Sequence, residues 1–369
     1  MTDAGSGSGG DRTEAAGGRS SPAQAYRRFA EGEVAEASPL SARVALALSE
    51  SAAARRAIEA LPARRRQPRV VLAALHDLAL AGRAPALAAA YAAGDAEAAA
   101  RAAVDALVDM AEAVAVVAAR RPVRADETGH GAVLHPAVAT AARRAGAEAI
   151  GLVDIGCGAG LDLAVDRVGV TYSDGRSLGD PASPVQLTAE VVGDRPVPTA
   201  PVPPVVARIG VDRTPLDVTD PDDVRWLRAC LWPDRPELRA RLDAEVALVA
   251  ADPPELLAGD PVALVGDAVA RVPAGALPVV TTTWALSALT PARRRRFLDE
   301  LRAAAAGRPV AWVSVEGVGV APEVPTLGDR PASGHSIVGV AVVDGPAVRP
   351  EAVGRCYGRG RWLAWLAGD

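Results

Sequence analysis

Hydrophobic residues recur with a helical period through the first third of the chain. Leu40, Val44 and Leu48 fall on one face of a helix that opens at Ser38-Pro39. The same spacing predicts further helices over residues 25–36, 51–61, 70–80, 85–93 and 96–120. These segments lack strand-like runs of β-branched residues, so residues 22–145 are predicted to form an α-helical domain. Residues 1–21 are rich in glycine and serine and are predicted to be a disordered tail.

After Gly146 the pattern changes to short apolar runs that alternate with helical segments. The runs predict strands over residues 149–155, 170–172, 185–192, 205–210, 277–283, 309–315, 336–343 and 354–362. Helices are predicted over residues 161–167, 221–231, 237–251, 262–271 and 291–306. Alternation of this kind predicts an α/β domain over residues 146–369, with a doubly wound, mostly parallel sheet and a β-hairpin insertion near 170–200. Its ligand crevice is expected at the carboxyl ends of the strands.

A glycine-rich turn follows the first predicted strand. The strand contains Asp154 near its end, and Gly156, Gly158 and Gly160 then stand at every second position. Glycine lets the backbone turn tightly and approach a ligand closely. A dinucleotide-binding loop of the form GxGxxG would need glycine where Leu161 stands, so that interpretation is weaker. The segment resembles the first motif of class I S-adenosylmethionine-dependent methyltransferases; a glycine-rich turn without a ligand is the alternative.

Several further segments resemble one bacterial family, domain of unknown function 2332. They are Arg27-Arg28-Phe29-Ala30, Ser38-Pro39-Leu40, Glu127-Thr128-Gly129, Gly158-Ala159-Gly160-Leu161-Asp162-Leu163, Arg208-Ile209-Gly210-Val211-Asp212, Pro215-Leu216-Asp217-Val218, Arg225-Trp226-Leu227, Trp232-Pro233, Gly259-Asp260 and Gly360-Arg361-Trp362-Leu363-Ala364-Trp365. The resemblance implies a helical N-terminal part and a class I methyltransferase-like (Rossmann-like) domain, with no established reaction. The family usually has a Gln-Thr-Asn-Glu-type stretch before the glycine turn, where this chain has Arg124-Ala125-Asp126-Glu127.

The methyltransferase resemblance also implies cofactor-binding side chains. Asp212, after the next strand, is the candidate for the ribose hydroxyls, and Asp217 is its competitor. Asp260 is the candidate for the adenine, although the Gly-Asp pair recurs at Gly266-Asp267 and aspartate is a common helix N-cap. Asp154 is expected to hold the glycine turn or to approach the amino group of the cofactor. The implied cofactor is S-adenosyl-L-methionine.

Methyl transfer requires alignment of two reactants and, for some acceptors, removal of a proton. Four side chains near predicted strand ends or covering loops are candidate catalytic groups: Glu127, His130, Glu316 and His335. Each has a structural alternative, because histidines in polar loops are often simply hydrogen-bonded, and Glu127 could form a salt bridge or a cap. The four histidines have no spacing typical of metal ligands, so no metal site is expected.

Composition removes several other classes of function. The chain has 369 residues and a formal net charge of −5, which disfavours a nucleic-acid-binding protein. The arginine runs at 64–66 and 293–296 are therefore interpreted as solvated faces. Three cysteines without a CxxC pair argue against a disulfide framework. The sequence lacks the GxSxG motif that is typical of serine hydrolases.

No segment has the pattern of a signal peptide or of a membrane-spanning helix, and a cytoplasmic location without membrane partners is expected. The leading hypothesis is an S-adenosylmethionine-dependent methyltransferase that acts on a small molecule. A non-catalytic protein that keeps the fold for binding or scaffolding is the alternative, and an NAD-dependent oxidoreductase is a weaker third. The sequence does not predict the methyl acceptor or the oligomeric state.

Overall fold

The computed structural model describes residues 21–123, 128–345, 348, 350–358 and 360–368. The chain divides into two compact units. The helical unit extends to Pro122 and includes the three-residue segment Trp232–Asp234. The sheet unit contains Val123–Leu231 and Arg235–Asp369.

Seven α-helices build the described part of the helical unit. They are α1 (Pro22–Arg28), α2 (Pro39–Glu50), α3 (Ala52–Ala60), α4 (Pro68–Leu80), α5 (Pro85–Ala93), α6 (Ala96–Asp109) and α7 (Ala111–Arg120). A π-helical turn, Phe29–Glu33, continues α1, and the segment predicted as one helix over 96–120 is broken at Met110 into α6 and α7. Leu48, Leu75 and Leu107 are buried in the core of this unit.

Polar side chains define where these helices begin. Ser51 and Asp95 each accept a hydrogen bond from a backbone N–H in the first turn of α3 and α6. The start of α2 has two acceptors, because Ser38 accepts from the Ser41 N–H while Asp234 accepts from the Leu40 N–H at 3.1 Å. The Ser38 hydroxyl in turn donates to Asp234.

The sheet unit contains the remaining elements. Its helices are α8 (Gly131–Arg144), α9 (Pro221–Cys230), α10 (Pro236–Ala250), α11 (Val265–Ala270) and α12 (Pro291–Ala304). Its strands are β1 (Ile150–Ile155), β2 (Gly169–Tyr172), β3 (Ser177–Gly179), β4 (Gln186–Val191), β5 (Val205–Asp212), β6 (Glu255–Ala258), β7 (Leu277–Thr283), β8 (Val310–Gly317), β9 (Ser336–Val343), β10 (Glu351–Tyr357) and β11 (Trp362–Trp365). Short 3-10 turns cover Leu161–Arg167, Leu286–Ala288 and Pro331–Ser333.

One sheet of eleven strands has the order β3-β2-β4-β11-β10-β9-β8-β7-β1-β5-β6. The five strands β6, β5, β1, β7 and β8 are parallel to one another. Counted along the chain they stand in the order 3-2-1-4-5 of a doubly wound sheet. The strand order therefore reverses between β1 and β7, and this place is the switch point of the sheet. Antiparallel pairing joins β8 to β9, β9 to β10 and β10 to β11. β4 pairs parallel with both β11 and β2. The predicted α/β class, with a mostly parallel sheet and an N-terminal helical region, is confirmed.

Two apolar layers cover the faces of this sheet. Ile150 and Leu152 of β1 pack with buried residues of α8, whereas Val153 and Ile155 pack with α11 and α12. Alternate residues of a strand point to opposite faces, so a strand covered by helices on both sides is hydrophobic along its length. β1 is buried at each of its positions for this reason.

Several further features differ from the predicted elements. α8 was not predicted as a helix, and it belongs to the sheet unit, which begins at Val123, whereas the sequence pattern places the domain boundary after residue 145. The helix predicted over 161–167 is a 3-10 turn. The strand predicted over 354–362 is two strands, β10 and β11, which pair antiparallel across a turn.

The region predicted as an inserted hairpin contains the antiparallel pair β2–β3 and then β4. Among the described residues, no single helix is long and apolar enough to cross a membrane. The helices α4 and α5 meet that length and composition only as a pair, and they are bent by 99° at the break between them.

Candidate functional site

Several candidate residues lie at the carboxyl edge of the parallel strands. Gly156 follows β1, Asp212 is the last residue of β5, and Glu316 is near the end of β8. Trp284 follows β7, which is the neighbour of β1 on the other side of the switch point. Parallel strands end at a common edge, so the order of the sheet brings these side chains from distant parts of the chain to one border.

The glycine turn depends on left-handed backbone conformations. Gly156, Gly158 and Gly160 have φ values of +82°, +58° and +74°. Residues with a Cβ rarely adopt such values, so all three glycines are required by the shape of the turn itself. The Gly156 N–H donates a hydrogen bond to the Val211 carbonyl oxygen at 2.7 Å. The Gly160 N–H donates to the Cys157 carbonyl oxygen, also at 2.7 Å.

Protein atoms occupy the space beside two of these glycines. A Cβ on Gly156 would lie 2.7 Å from the Cβ of Ala285, and one on Gly160 would lie 2.9 Å from a side-chain carbon of Pro254. Close packing within the chain therefore requires glycine at both positions, independently of any ligand. Gly156 is nevertheless exposed, whereas the following residues 157–160 are buried.

Asp212 links the end of β5 to the glycine turn. Its side chain is buried, and its carboxylate accepts hydrogen bonds from the Gly158 N–H at 3.2 Å and from the Thr214 N–H at 2.9 Å. Its competitor Asp217 lies in an exposed turn, where it accepts from the N–H and the hydroxyl of Thr219. The carboxylate beside the glycine turn is therefore that of Asp212.

Asp154 sits inside the sheet rather than in the turn. It is buried and accepts a hydrogen bond from the Thr281 hydroxyl at 2.7 Å. The two residues are register partners on β1 and β7. This contact joins the two strands on either side of the switch point.

Asp260 follows β6 and is half-buried. It accepts the Val262 N–H at 3.0 Å and forms an ion pair with Arg293 of α12. The hydrogen bond from Arg293 lowers the pKa of Asp260 to about 2. The predicted adenine contact is thus, in this structure, a turn carboxylate paired with one arginine of the run 293–296.

Glu316 is fully buried on β8. Its carboxylate accepts the Leu286 N–H at 2.9 Å and the Ser287 hydroxyl at 3.2 Å. Burial raises the pKa of Glu316 to about 8. The side chain holds the 3-10 turn that follows β7, and Arg294 supports the same turn by donating to the Leu286 carbonyl at 2.9 Å.

His130 is buried at the start of α8. Its Nδ1 lies 3.0 Å from an oxygen of Asp162, and its ring packs against Trp284 at 4.8 Å between ring centroids. Trp284 has a φ of +54°, unusual for a residue with a bulky side chain, and its indole N–H donates to the Ser336 hydroxyl at 2.8 Å. His130 is thereby oriented by Asp162, which follows the glycine turn, and by Trp284, which follows β7.

His335, a third catalytic candidate, is not part of this group. His335 lies before β9, where its Nε2 is 3.0 Å from Asp329, which also accepts from Arg355 at 2.6 Å. Glu127 lies outside the described residues. Among the described residues, no group of three or more His, Cys, Asp or Glu side chains could hold a metal ion.

Two acidic residues beside His130 are not among the candidates that the sequence pattern suggests. Asp162 belongs to a family motif, with no role implied for its side chain. Glu245 lies on α10, in the predicted helix 237–251, and its position between Leu242 and Val249 puts a carboxylate on the buried face of that helix. A charged residue on an apolar helical face was the signal that could have drawn attention to it.

These features define a mixed α/β protein with polar groups gathered at the switch point of a large, mostly parallel sheet. The chain matches the family described as "uncharacterized protein conserved in bacteria (DUF2332)" over residues 23–365, and it belongs to that family. The comparisons with curated proteins and with solved structures gave no match.

Proposed function

We propose that this protein is an S-adenosylmethionine-dependent methyltransferase with a small-molecule substrate, and that its cofactor binds at the carboxyl ends of β1 and β5. The observation that carries the proposal is the contact between Asp212 and Gly158. It brings a glycine turn and an acidic residue from the next parallel strand to one point beside the switch point. The sequence resemblance implies that the ribose of the cofactor would bind at the corresponding residues.

The residues at this point fit an adenosyl group in two respects. Gly156 is exposed at the edge of the sheet, where a ligand can lie against backbone. An ionised carboxylate such as that of Asp212 only accepts hydrogen bonds, and the hydroxyl groups of a ribose can donate them. Asp260 fits less well, because a ligand donor would have to share it with Arg293.

S-adenosylmethionine supplies a methyl group on a sulfonium sulfur, which is transferred in line to a nucleophile. The contribution of this chain is to hold the two reactants and exclude water from between them. In the proposed site, Asp212 binds the ribose and Gly156 provides the backbone surface. Glu316 fixes the turn after β7, and Trp284 and His130 form a packed wall beside it.

Titration calorimetry with S-adenosylmethionine and S-adenosylhomocysteine tests this proposal. We expect both to bind, and we expect Asp212→Asn to weaken binding by about tenfold or more, because a charged acceptor of hydroxyl hydrogen bonds is lost. Asp217→Asn, in an exposed turn, is the matched control and should bind as the wild type does. Substitutions in the glycine turn are poor probes, since the turn needs glycine for its own conformation.

A non-catalytic binding protein is the second candidate, and one observation favours it. Ala285 and Pro254 already fill the space beside Gly156 and Gly160, as in a turn that serves only the fold. Absence of heat with both cofactor forms would reject the methyltransferase and leave this candidate. A change in NADH fluorescence on titration would instead support the oxidoreductase.

A further inference from the structure

A pocket lies beside the glycine turn, between the start of α8, the 3-10 turn Leu161–Arg167 and α10. Its polar lining consists of His130, Asp162 and Glu245 together with the backbone of Gly129. The rest of the wall is aliphatic and includes Leu161, Val165, Val168, Leu187, Leu248 and Val249. The pocket thus combines a small acidic centre with an apolar surround.

Glu245 is the group in this pocket that needs a partner. It is 7% exposed. Its Oε1 accepts the Gly129 N–H at 3.1 Å, while its Oε2 is buried and has no hydrogen-bond partner among the described residues. A buried polar atom left unpaired costs free energy, so such an atom in a pocket indicates a ligand that supplies a donor.

The neighbouring side chains are held in place. Asp162 lies 3.0 Å from His130 Nδ1, and the His130 ring rests on Trp284. Asp162 follows Gly160 by two residues, so the pocket adjoins the glycine turn. A second carboxylate is therefore positioned at the same polar centre.

We propose that this pocket binds the head group of a small aliphatic amine, whose ammonium group donates to Glu245 Oε2 and lies beside Asp162. A carboxylate oxygen accepts hydrogen bonds and an ammonium group only donates them, so the two are complementary. The free space of the whole pocket suits a group the size of an ammonium ion or a water molecule. The aliphatic wall would contact the carbon atoms next to the ammonium group.

Protonation of Glu245 should be coupled to binding. Burial raises its pKa to about 7; the nearby Asp162 also raises it, while the Gly129 N–H, His130 and Arg241 oppose the shift. Below that pH the group is largely a neutral acid, and an incoming ammonium ion favours the carboxylate. Amine binding should therefore release a proton at about pH 6 and almost none at about pH 8.5.

The binding site is built from residues of this chain alone, so the inference goes beyond the proposed methyl transfer and does not depend on it. The experiment uses the full chain without S-adenosylmethionine, titrated with n-butylamine, 1-butanol and butyrate at about pH 8. An alkylamine is protonated there, as the lysine ammonium group is. We expect n-butylamine to bind, 1-butanol to bind at least tenfold more weakly, and butyrate not to bind.

Glu245→Gln is the decisive variant. Its amide oxygen can still accept the Gly129 N–H, but an NH2 group then faces the ammonium ion, so amine affinity should fall at least tenfold. Glu237→Gln, at the exposed start of the same helix, should bind as the wild type does. Asp162→Asn provides a second test with a smaller expected loss, and it serves alone where Glu245→Gln does not fold.

The proton release is measured by calorimetry at about pH 6 in two buffers of different ionisation enthalpy. Buffer-dependent heat that disappears in Glu245→Gln supports the assignment. Equal binding of 1-butanol and n-butylamine would show a merely apolar pocket and overturn the proposal. Undiminished amine binding by both Glu245→Gln and Asp162→Asn, or absence of amine binding by the wild type, would overturn it as well.

Discussion

The carboxyl group of Glu316 is fully buried in β8, and burial raises its pKa to about 8 from an ordinary value of 4.5. The folded protein therefore holds this proton more tightly than the unfolded chain does. The resulting stabilisation is complete below about pH 4.5 and is lost as the pH rises through about 8. The hydrogen bonds from Leu286 and Ser287 oppose the shift without cancelling it.

Glu316→Gln should therefore change how stability depends on pH. Between about pH 5 and about pH 9, the free energy of unfolding of the wild type should fall relative to that of the variant by on the order of 3 kcal/mol. Urea unfolding at several pH values measures this difference. Glu148→Gln, at an exposed position, is the control, and its free energy of unfolding should depend on pH as that of the wild type does. A difference between Glu316→Gln and the wild type that is independent of pH would contradict the argument.

Sequence reasoning located residues better than it located their partners. Asp212 and Glu316 are candidates because they stand at predicted strand ends, and the sheet does bring them to one edge, whereas Asp154 lies inside the sheet. Their contacts depend on tertiary register, which a local pattern does not contain. The pairing of Asp154 with Thr281 requires knowing that β1 and β7 are neighbours. Predicting that Gly156 is exposed and that Ala285 packs against it would require the same knowledge.

Among the secondary-structure elements, β7, β9 and α5 have the predicted bounds. β9 is a continuous apolar run typical of a buried strand, and β-branched threonines extend β7 to Thr283. α8 was missed because Gly131 and Pro136 are poor helix formers. Burial of its residues 131–142 overrides that weak propensity.

The start of α2 gives a prediction about a single helix. Asp234 is distant from α2 in sequence, yet it accepts the Leu40 N–H and the Ser38 hydroxyl at that helix start. A carboxylate there satisfies an otherwise unpaired N–H and interacts favourably with the helix dipole. Asp234→Ala should destabilise the helical unit by about 2 kcal/mol, and Asp234→Asn by less.

The matched control is Asp95→Ala, which removes the exposed N-cap of α6 and should cost about 1 kcal/mol or less. Thermal unfolding followed by calorimetry compares the variants. A larger loss for Asp95→Ala than for Asp234→Ala would contradict the assignment of Asp234 as the more important cap. Equal stability of Asp234→Ala and the wild type would contradict it outright.

At the scale of the whole molecule, the predicted class followed from alternation alone, whereas the eleven-strand order did not. Adjacent strands such as β11 and β4 are far apart in the chain, and their pairing brings the inserted region into the same sheet as the last strands. The division into two units also depends on long-range packing, since Trp232 lies between α9 and α10 yet belongs to the helical unit. Its ring contacts there are with Phe29 and Arg69.

Because the chain forms two units, hydrogen exchange can test which of them binds the proposed cofactor. A ligand at 100 times its dissociation constant stabilises the folded state that binds it by about 2.7 kcal/mol. If S-adenosylmethionine binds as proposed, amides of β1 and β5 that exchange by opening of the sheet unit should slow by up to about 100-fold, whereas those of α2 and α4 should change little. NAD is the control ligand and should protect neither set. Protection of α2 and α4 alone would place the binding site in the helical unit and contradict the assignment to the strand ends.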